Sequence, residues 1–400
     1  MKILIVSQYF YPENFKINDI AEHLSSKNIV DVVTSIPNYP LGNFYEGYSF
    51  FSKRIDNYKG CRVFRCFTIP RKRNPIFRIL NYFTFSVIGS FYAVILALFN
   101  NYDFIIVQQT SPIFQAIPGV FAKKITKAKL LMWVMDIWPD SMISGGNIKN
   151  QSIINSVNHL VKWIYLNCDR ILITSKGFDK FIIKLLGDNK KVIYFPNWSD
   201  DIKKIQLKDI DFYPTGKTIM MAGTIANAQC VENIGKLILA SKDVDINWVF
   251  VGDGTKKDWL ENYVLHNNLN NKVFFLGKFA PDYMPILYEK ADFLFISLKS
   301  NWEHLKAVIP GRLITYFAAG KPILGLLEGS AADLIKEANC GYTVKAEDYT
   351  NLIVYLNALI KNENNIVSCL SDNGRIFYLK HFTKEKCLKD LDFILNNYEA

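Results

Sequence analysis

The chain has 400 residues, half of them apolar and 14% aromatic, with a formal net charge of +10 at pH 7. That length exceeds one ordinary core and suits two α/β domains, and that apolar share excludes a disordered linker protein. The positive balance either marks an acidic partner (nucleic acid, anionic lipid or a phosphorylated substrate) or reflects a merely basic, soluble surface. Seven cysteines without CxxC pairing argue against a disulfide framework and a zinc site, and fit a reducing compartment. Five histidines without HExxH or comparable spacing imply no protein-bound catalytic metal.

Met1 and Lys2 run directly into the apolar stretch 3–6, which reads as a buried strand rather than as a signal's apolar region. Further short apolar runs follow at 30–34, 62–65, 104–107, 129–135, 170–174 and 192–194, several separated by amphipathic stretches. This alternation predicts βαβ units and a parallel sheet. The pattern resets after Tyr194-Phe195-Pro196-Asn197, and a second series runs at 218–221, 248–251, 273–276, 293–296, 322–324 and 341–344. Two such series predict two doubly wound domains, 1–200 and 201–384, hinged near 196–210. A helical tail at about 385–400 is expected to cross back onto the first domain. Ligands of such sheets sit beyond the carboxyl ends of the strands, here the loops after Val6, Thr34, Val107, Val134, Met221, Val251, Leu276 and Ile296.

Residues 76–99, IFRILNYFTFSVIGSFYAVILALF, form the most apolar window. Three readings stand: a membrane-spanning helix, a buried crossover helix, or a helix partly in the core and partly in a lipid interface. Spanning would split the first domain across the bilayer. The interfacial reading gains from Arg71-Lys72-Arg73 beside it and from Lys123, Lys124, Lys127 and Lys129 further on, since such residues attract anionic lipid. No DNA- or RNA-binding motif accompanies the charge, so no nucleic-acid partner is expected.

Several loops can carry chemistry. The first, QYFYPENFKIND (8–19), offers backbone N–H groups and Lys16 as a phosphate cradle, but without GxGxxG it does not support a nicotinamide dinucleotide. Asp136, at the end of the fifth strand, either orients a sugar hydroxyl or moves a proton, or else caps the next helix together with Asp140. In the second half, Gly223-Thr224 and Gly252 stand in small-residue turns that admit a ligand close to the backbone. Pro310-Gly311 starts a helix whose free N–H groups and dipole suit a diphosphate, with Arg312 adding a charged contact.

Taken in order, QYFYPENFKINDI (8–20), IPNYPLGNFYEGY (36–48), MDIWPDS (135–141), YFPNWSD (194–200), AGTIANAQ (222–229), FVGDG (250–254), FLGKF (275–279) and VIPGRLITYFAAGKPIL (308–324) resemble the family 4 retaining glycosyltransferases of GT-B fold. More narrowly, they resemble the branch of L-fucosamine (FucNAc) transferases in O-antigen and capsule biosynthesis. The resemblance covers nearly the whole chain. It implies an α/β GT-B architecture, two Rossmann-like doubly wound parallel-sheet domains facing across a cleft. It also implies a UDP-sugar donor held by the second domain, with the base near Lys278 and Phe279 and the diphosphate near Gly223, Thr224, Gly311 and Arg312. The acceptor, a polyprenyl diphosphate-linked saccharide, belongs to the first, membrane-facing domain, where Glu13, Asn18, Asn38 and Trp138 stand in the matching motifs. Asp136 and Lys16 take the catalytic roles.

Three departures accompany the resemblance. Two glutamates of the wider family, eight residues apart, correspond here to Ala307 and Thr315, the latter a small polar residue as in the narrower branch. A histidine common before the strand-end aspartate is Met135, and AGTIANAQ lacks the basic residue that often follows, leaving Lys16, Lys256 or Arg312 to balance phosphate. The reading is a retaining, metal-independent hexosyl transfer at the cytoplasmic face of a bacterial membrane. Alternatives are a nucleotide-sugar epimerase of the same architecture and a non-catalytic nucleotide-sugar-binding scaffold.

Overall fold

The computed structural model describes residues 1–40, 42–72, 74–146, 148–202, 213–361 and 365–398. Arg73 and the 203–210 part of the expected hinge lie outside the described residues. The chain divides into two compact units, Met1–Phe195 and Pro196–Ala400. The helix Lys384–Asn396, which the sequence reading carries back to the first domain, groups with the second unit.

The first unit is an eight-stranded sheet. Its strands are β1 (Lys2–Val6), β2 (Ile29–Ser35), β3 (Ile55–Tyr58), β4 (Cys61–Cys66), β5 (Phe104–Gln109), β6 (Lys129–Val134), β7 (Arg170–Ile173) and β8 (Val192–Tyr194), in the order β3-β4-β2-β1-β5-β6-β7-β8. All pairs are parallel except β3–β4. β1 lies at the centre, pairing Ile3 with Val30 on one side and with Phe104 on the other. Near-continuous apolar runs are what a sheet covered on both faces requires. β3 escapes that signal: its residues alternate between exposed and half-buried, Asp56 and Asn57 disfavour strands, and the hairpin closes through Lys59 and Gly60, both at positive φ.

The second unit is a six-stranded parallel sheet of β9 (Thr218–Ala222), β10 (Asn247–Val251), β11 (Val273–Gly277), β12 (Phe293–Ser297), β13 (Ile323–Leu326) and β14 (Gly341–Val344). The order β11-β10-β9-β12-β13-β14 is that of a doubly wound nucleotide-binding sheet, with the strand order reversing between β9 and β12. Two apolar layers enclose it. One, around Leu313, Ile314 and Phe317, sets the helix Gly311–Ala319 against the sheet, and the other, around Val231, Leu260 and Trp248, covers the opposite face. The helix Asn365–His381 clamps the first layer from outside: Arg375 donates to the Ala318 carbonyl at 2.9 Å, and the Tyr378 hydroxyl to that of Ser199 at 3.0 Å.

Candidate active site

Three turns at the carboxyl ends of β9, β10 and β11 lie edge to edge. Gly223 N donates to Val251 O at 2.8 Å, and Gly252 N donates to Gly277 O at 2.7 Å. Gly223 and Gly252 take φ of 111° and 132°. A Cβ on Gly252 would lie 2.0 Å from the Gly223 carbonyl oxygen, so the approach is open only to glycine.

The helix Gly311–Ala319 points its N-terminus at this floor. Pro310 is extended (φ −64°, ψ 138°), a residue without an N–H just ahead of a turn whose own first N–H groups have no intrahelical acceptor. Gly311 faces open space, with no atom within 4 Å of where a Cβ would be. Arg312 lies against Gly223 and donates from Nη2 to the Thr224 carbonyl at 3.0 Å, while its Nη1 is buried and has no hydrogen-bond partner. One turn later the Tyr316 hydroxyl accepts the Ala222 N–H at 2.9 Å, fixing helix to strand. Tyr316 escaped the sequence reading, although its i+4 spacing from Arg312 places both on one helix face. Thr315 sits 3.0 Å, hydroxyl to hydroxyl, from Ser199.

Lys278 and Phe279 follow β11 at the edge of the same floor. Lys278 is largely exposed and pairs with Asp253 at 2.9 Å, and its ammonium holds that carboxyl below the usual range. Phe279 is half-buried, its ring 6.1 Å from that of Tyr283. Arg312 meets these turns through its side chain, and Lys256 through its backbone N–H, which donates to Ile225 O at 3.1 Å. Lys256 is paired with Glu232 at 2.7 Å, and Lys16 belongs to the first unit, 3.9 Å from Asp19. Ala307 is buried in the apolar interior. A cavity of about 330 Å3 at the opposite end of the helix, beside Tyr288, Lys321 and Arg375, is remote from these turns.

In the first unit, Glu13, Asn18 and Asn38 are buried together and brace backbone. Glu13 accepts the N–H groups of Asn38 at 2.8 Å, Tyr39 at 2.7 Å and Phe10 at 3.3 Å, joining the first loop to that after β2. Burial nevertheless outweighs these donors and pushes its carboxyl up to about 7. Asn18 accepts from Tyr11 N at 3.1 Å and donates to Glu13 O at 2.7 Å, while Asn38 accepts from Arg71 N at 2.8 Å. Between these loops Tyr9 keeps a buried hydroxyl without a partner, its ring against Phe15 (5.1 Å) and Tyr39 (5.2 Å).

Asp136 stands just past β6. Burial pushes its carboxyl up to about 6, against hydrogen bonds from Ser141, Ile137 N, Trp138 and Ser111. The Ser141 hydroxyl donates to it, and Trp138 Nε1 donates to Ser111 Oγ at 3.1 Å. Asp140, by contrast, sits in the first turn of the helix Asp140–Gly146. Both serines went unread in the sequence; Ser141 at least stands within the quoted motif. Among the described residues no three of His, Cys, Asp and Glu gather as metal ligands.

The apolar window is the helix Pro75–Phe99, joining β4 to β5. Both strands belong to one sheet, which makes the helix a crossover. Asn81, Phe85, Gly89, Ala93 and Ala97 form its buried row, and Gly89 lets it approach Pro118 of the helix Ile117–Ile125. The other face is bare: Ile76, Ile79, Phe83, Val87, Phe91, Ile95 and Leu98 are each more than half exposed, or half in the case of Phe83. Large apolar patches of this kind mark interaction sites.

These features define a class of fold: two doubly wound parallel-sheet units, as in glycosyltransferases of GT-B type. Residues 202–376 match the family model of glycosyl transferases group 1, which covers most of the second unit and its Gly223, Arg312 and Thr315. The chain is 25% identical over 339 residues to a protein of Escherichia coli K12 described as the colanic acid biosynthesis glycosyl transferase WcaI, covering 80% of this chain and 82% of that one. Among solved structures, sucrose-phosphate synthase of Thermosynechococcus elongatus superposes with a TM-score of 0.71 at 14% identity, over 100% of this chain and 99% of the other. Anabaena HepE in complex with UDP gives 0.67 at 15%, over 99% and 100%. The fold and the glycosyltransferase homology expected from the sequence therefore stand.

Proposed function

We propose that this chain is a retaining glycosyltransferase that moves a sugar from a UDP-sugar to a polyprenyl diphosphate-linked saccharide in O-antigen or capsule biosynthesis. The sugar is an N-acetylated deoxyhexosamine such as L-FucNAc. The observation that carries the donor side is the half-satisfied guanidinium of Arg312, held between Gly223, Thr224 and the open N-terminus at Gly311. A buried cationic donor without an acceptor, beside unpaired helix N–H groups, suits a diphosphate.

Transfer with retention passes through an oxocarbenium-like state as negative charge grows on the leaving diphosphate. Arg312 and the first N–H groups of the helix Gly311–Ala319 stabilise that charge, which is usually the largest single contribution to such a step. With that charge met by Arg312 and the helix N–H groups the step needs no metal, and the departing phosphate oxygen takes the acceptor hydroxyl proton. On the acceptor side Asp136 orients the sugar, with Trp138 beside it, while Glu13, Asn18 and Asn38 hold the surrounding loops. The exposed face of the helix Pro75–Phe99, with exposed Arg78 on the same helix and exposed Lys124 and Lys127 elsewhere in the unit, rests on the cytoplasmic surface of an anionic membrane.

The test is a panel assay with purified protein, a polyprenyl diphosphate-GlcNAc acceptor and a series of UDP-sugars, with and without chelator. Transfer from one UDP-sugar in chelator, with the anomeric configuration kept, supports the reading. UDP binding with no transfer from any donor points instead to a non-catalytic scaffold, and interconversion of the free UDP-sugar to an epimerase.

A further inference from the structure

A shallow groove of about 370 Å3 runs along the helix Gln151–Asn167 in the first unit, lined by Phe114, Ser152, Ile153, Ser156, Val157 and Leu160. None of these side chains carries charge, and the volume falls in the lower range of small-molecule sites. Its position is more telling than its size. The Phe114 ring that forms one wall lies 5.3 Å from the ring of Phe83, on the bare face of the helix Pro75–Phe99. The same ring meets Trp138 at 6.0 Å, edge to face. Trp138 in turn donates to Ser111, and both hydrogen-bond toward Asp136. An unbroken aromatic line, Phe83 to Phe114 to Trp138, thus leads from the lipid-like surface of the unit to its buried carboxylate, with the groove along its flank.

We infer that this groove holds the first isoprene units of the acceptor's hydrocarbon chain, so that the lipid leaves the bilayer over Phe83 and delivers its diphosphate-saccharide head beside Trp138 and Asp136. The inference rests on the polyprenyl acceptor proposed above and adds to it a track and a direction. An apolar chain is the occupant the chemistry selects. The lining offers hydrocarbon and aromatic contact with only two serine hydroxyls, both at the exposed rim. Continuity with a bare apolar helix face gives a lipid an unbroken path that a water-soluble sugar does not need. Each methylene buried there improves binding by about fourfold, so two isoprene units are ample to separate long from truncated acceptors.

The experiment compares two acceptors with the same diphosphate-saccharide head, one on a full-length polyprenyl chain and one on a short alkyl chain, using whichever UDP-sugar of the panel supports transfer. Ser156→Trp fills the groove from an exposed helical position, and Ile153→Glu places a carboxylate on its lip. Each is expected to raise KM for the long-chain acceptor by about tenfold or more, with kcat, UDP affinity and the short-chain KM unchanged. Wild-type protein should show the lower KM for the long chain. Equal KM values for the two acceptors, or variants that weaken both alike, overturn the track while leaving the transferase reading intact. Transfer to neither acceptor overturns the acceptor reading and the track together.

Discussion

Arg312 and Thr224 are joined by a single hydrogen bond, from Nη2 to the carbonyl at 3.0 Å, which leaves the buried Nη1 of the same guanidinium without an acceptor. The two N–H groups of Nη1, unsatisfied in a rigid five-donor fork, suit the diphosphate site proposed above. Arg312→Ala should therefore weaken UDP binding by roughly 10- to 100-fold, since hydrogen bonds to charged groups contribute about 1.5–3 kcal/mol. Arg312→Lys keeps the charge but not the fork and should recover only part of the loss. Titration calorimetry with UDP checks both, and wild-type affinity in Arg312→Ala would remove Arg312 from the donor site.

Gly223 offers a sharper test of the same floor. Its φ of 111° and the guanidinium 3.3 Å from a would-be Cβ make Gly223→Ala costly twice over, by backbone strain of about 1–3 kcal/mol and by displacing Arg312. The melting temperature should fall and UDP affinity with it. Thr224→Ala, whose contact to Arg312 is through the carbonyl, should bind UDP as wild type does. The contrast between neighbours separates backbone geometry from side-chain chemistry.

Asp136 sets a pH dependence whose sign can be worked out. Its carboxyl is raised by burial to about 6 in the folded protein, above its ordinary 3.8. The native state thus holds this proton where the unfolded chain has lost it, and the associated stability is full below about pH 4 and lost as pH rises through 6. Activity runs the other way: a carboxylate that orients a sugar hydroxyl must be ionised, so turnover should fall as pH drops through about 6. Asp136→Asn is expected to lose most of its turnover and the acid limb of the profile, yet to melt no lower than wild type at pH 8. Wild-type turnover in Asp136→Asn would leave the residue a purely structural partner of Ser141.

Much of this was legible because parallel sheets buried on both faces write themselves as apolar runs. Thirteen of the fourteen strands coincide with such runs, and the exception, β3, is an exposed antiparallel edge carrying Asp56 and Asn57. The floor of turns was legible for a related reason: Gly252 marks where backbone must come close and Gly223 where the chain turns at positive φ, and glycine is readable as such. What pairs across space was not. The Ser199–Thr315 contact and the Tyr316 hydrogen bond to Ala222 join positions 116 and 94 residues apart, and nothing local to either residue signals them. Glu13 was legible as a loop carboxylate, but its three backbone donors come from Phe10, Asn38 and Tyr39, two of them in another loop.

The bare helix face makes a prediction about membranes. Phe83→Asp with Val87→Asp puts two charges in the middle of the exposed row without touching the buried Phe85–Gly89 side. The double variant should lose binding to anionic vesicles while keeping its fold and its UDP affinity. Reversing Lys124 and Lys127, both exposed, to glutamate should weaken vesicle binding by about 1 kcal/mol per lost charge or more, and only at low salt. Unchanged sedimentation with vesicles in both variants would leave the face to another partner.

Glu13 distinguishes a brace from an acceptor contact. Removing its carboxyl in Glu13→Ala strands the N–H groups of Phe10, Asn38 and Tyr39 in the interior, each costing about 1–3 kcal/mol where water cannot replace the acceptor. The first unit should melt well below wild type, and any loss of transfer should track that unfolding. In Glu13→Gln the amide supplies one acceptor oxygen but turns an N–H toward a donor, so a smaller loss of stability is expected. Because burial raises the Glu13 carboxyl to about 7 from an ordinary 4.5, wild-type stability should fall as pH rises across that window, and both variants should remove that slope. If Glu13→Gln instead folds with wild-type stability and raises KM for the acceptor alone, Glu13 touches the substrate, and its bonds to Asn38 and Tyr39 serve to aim it.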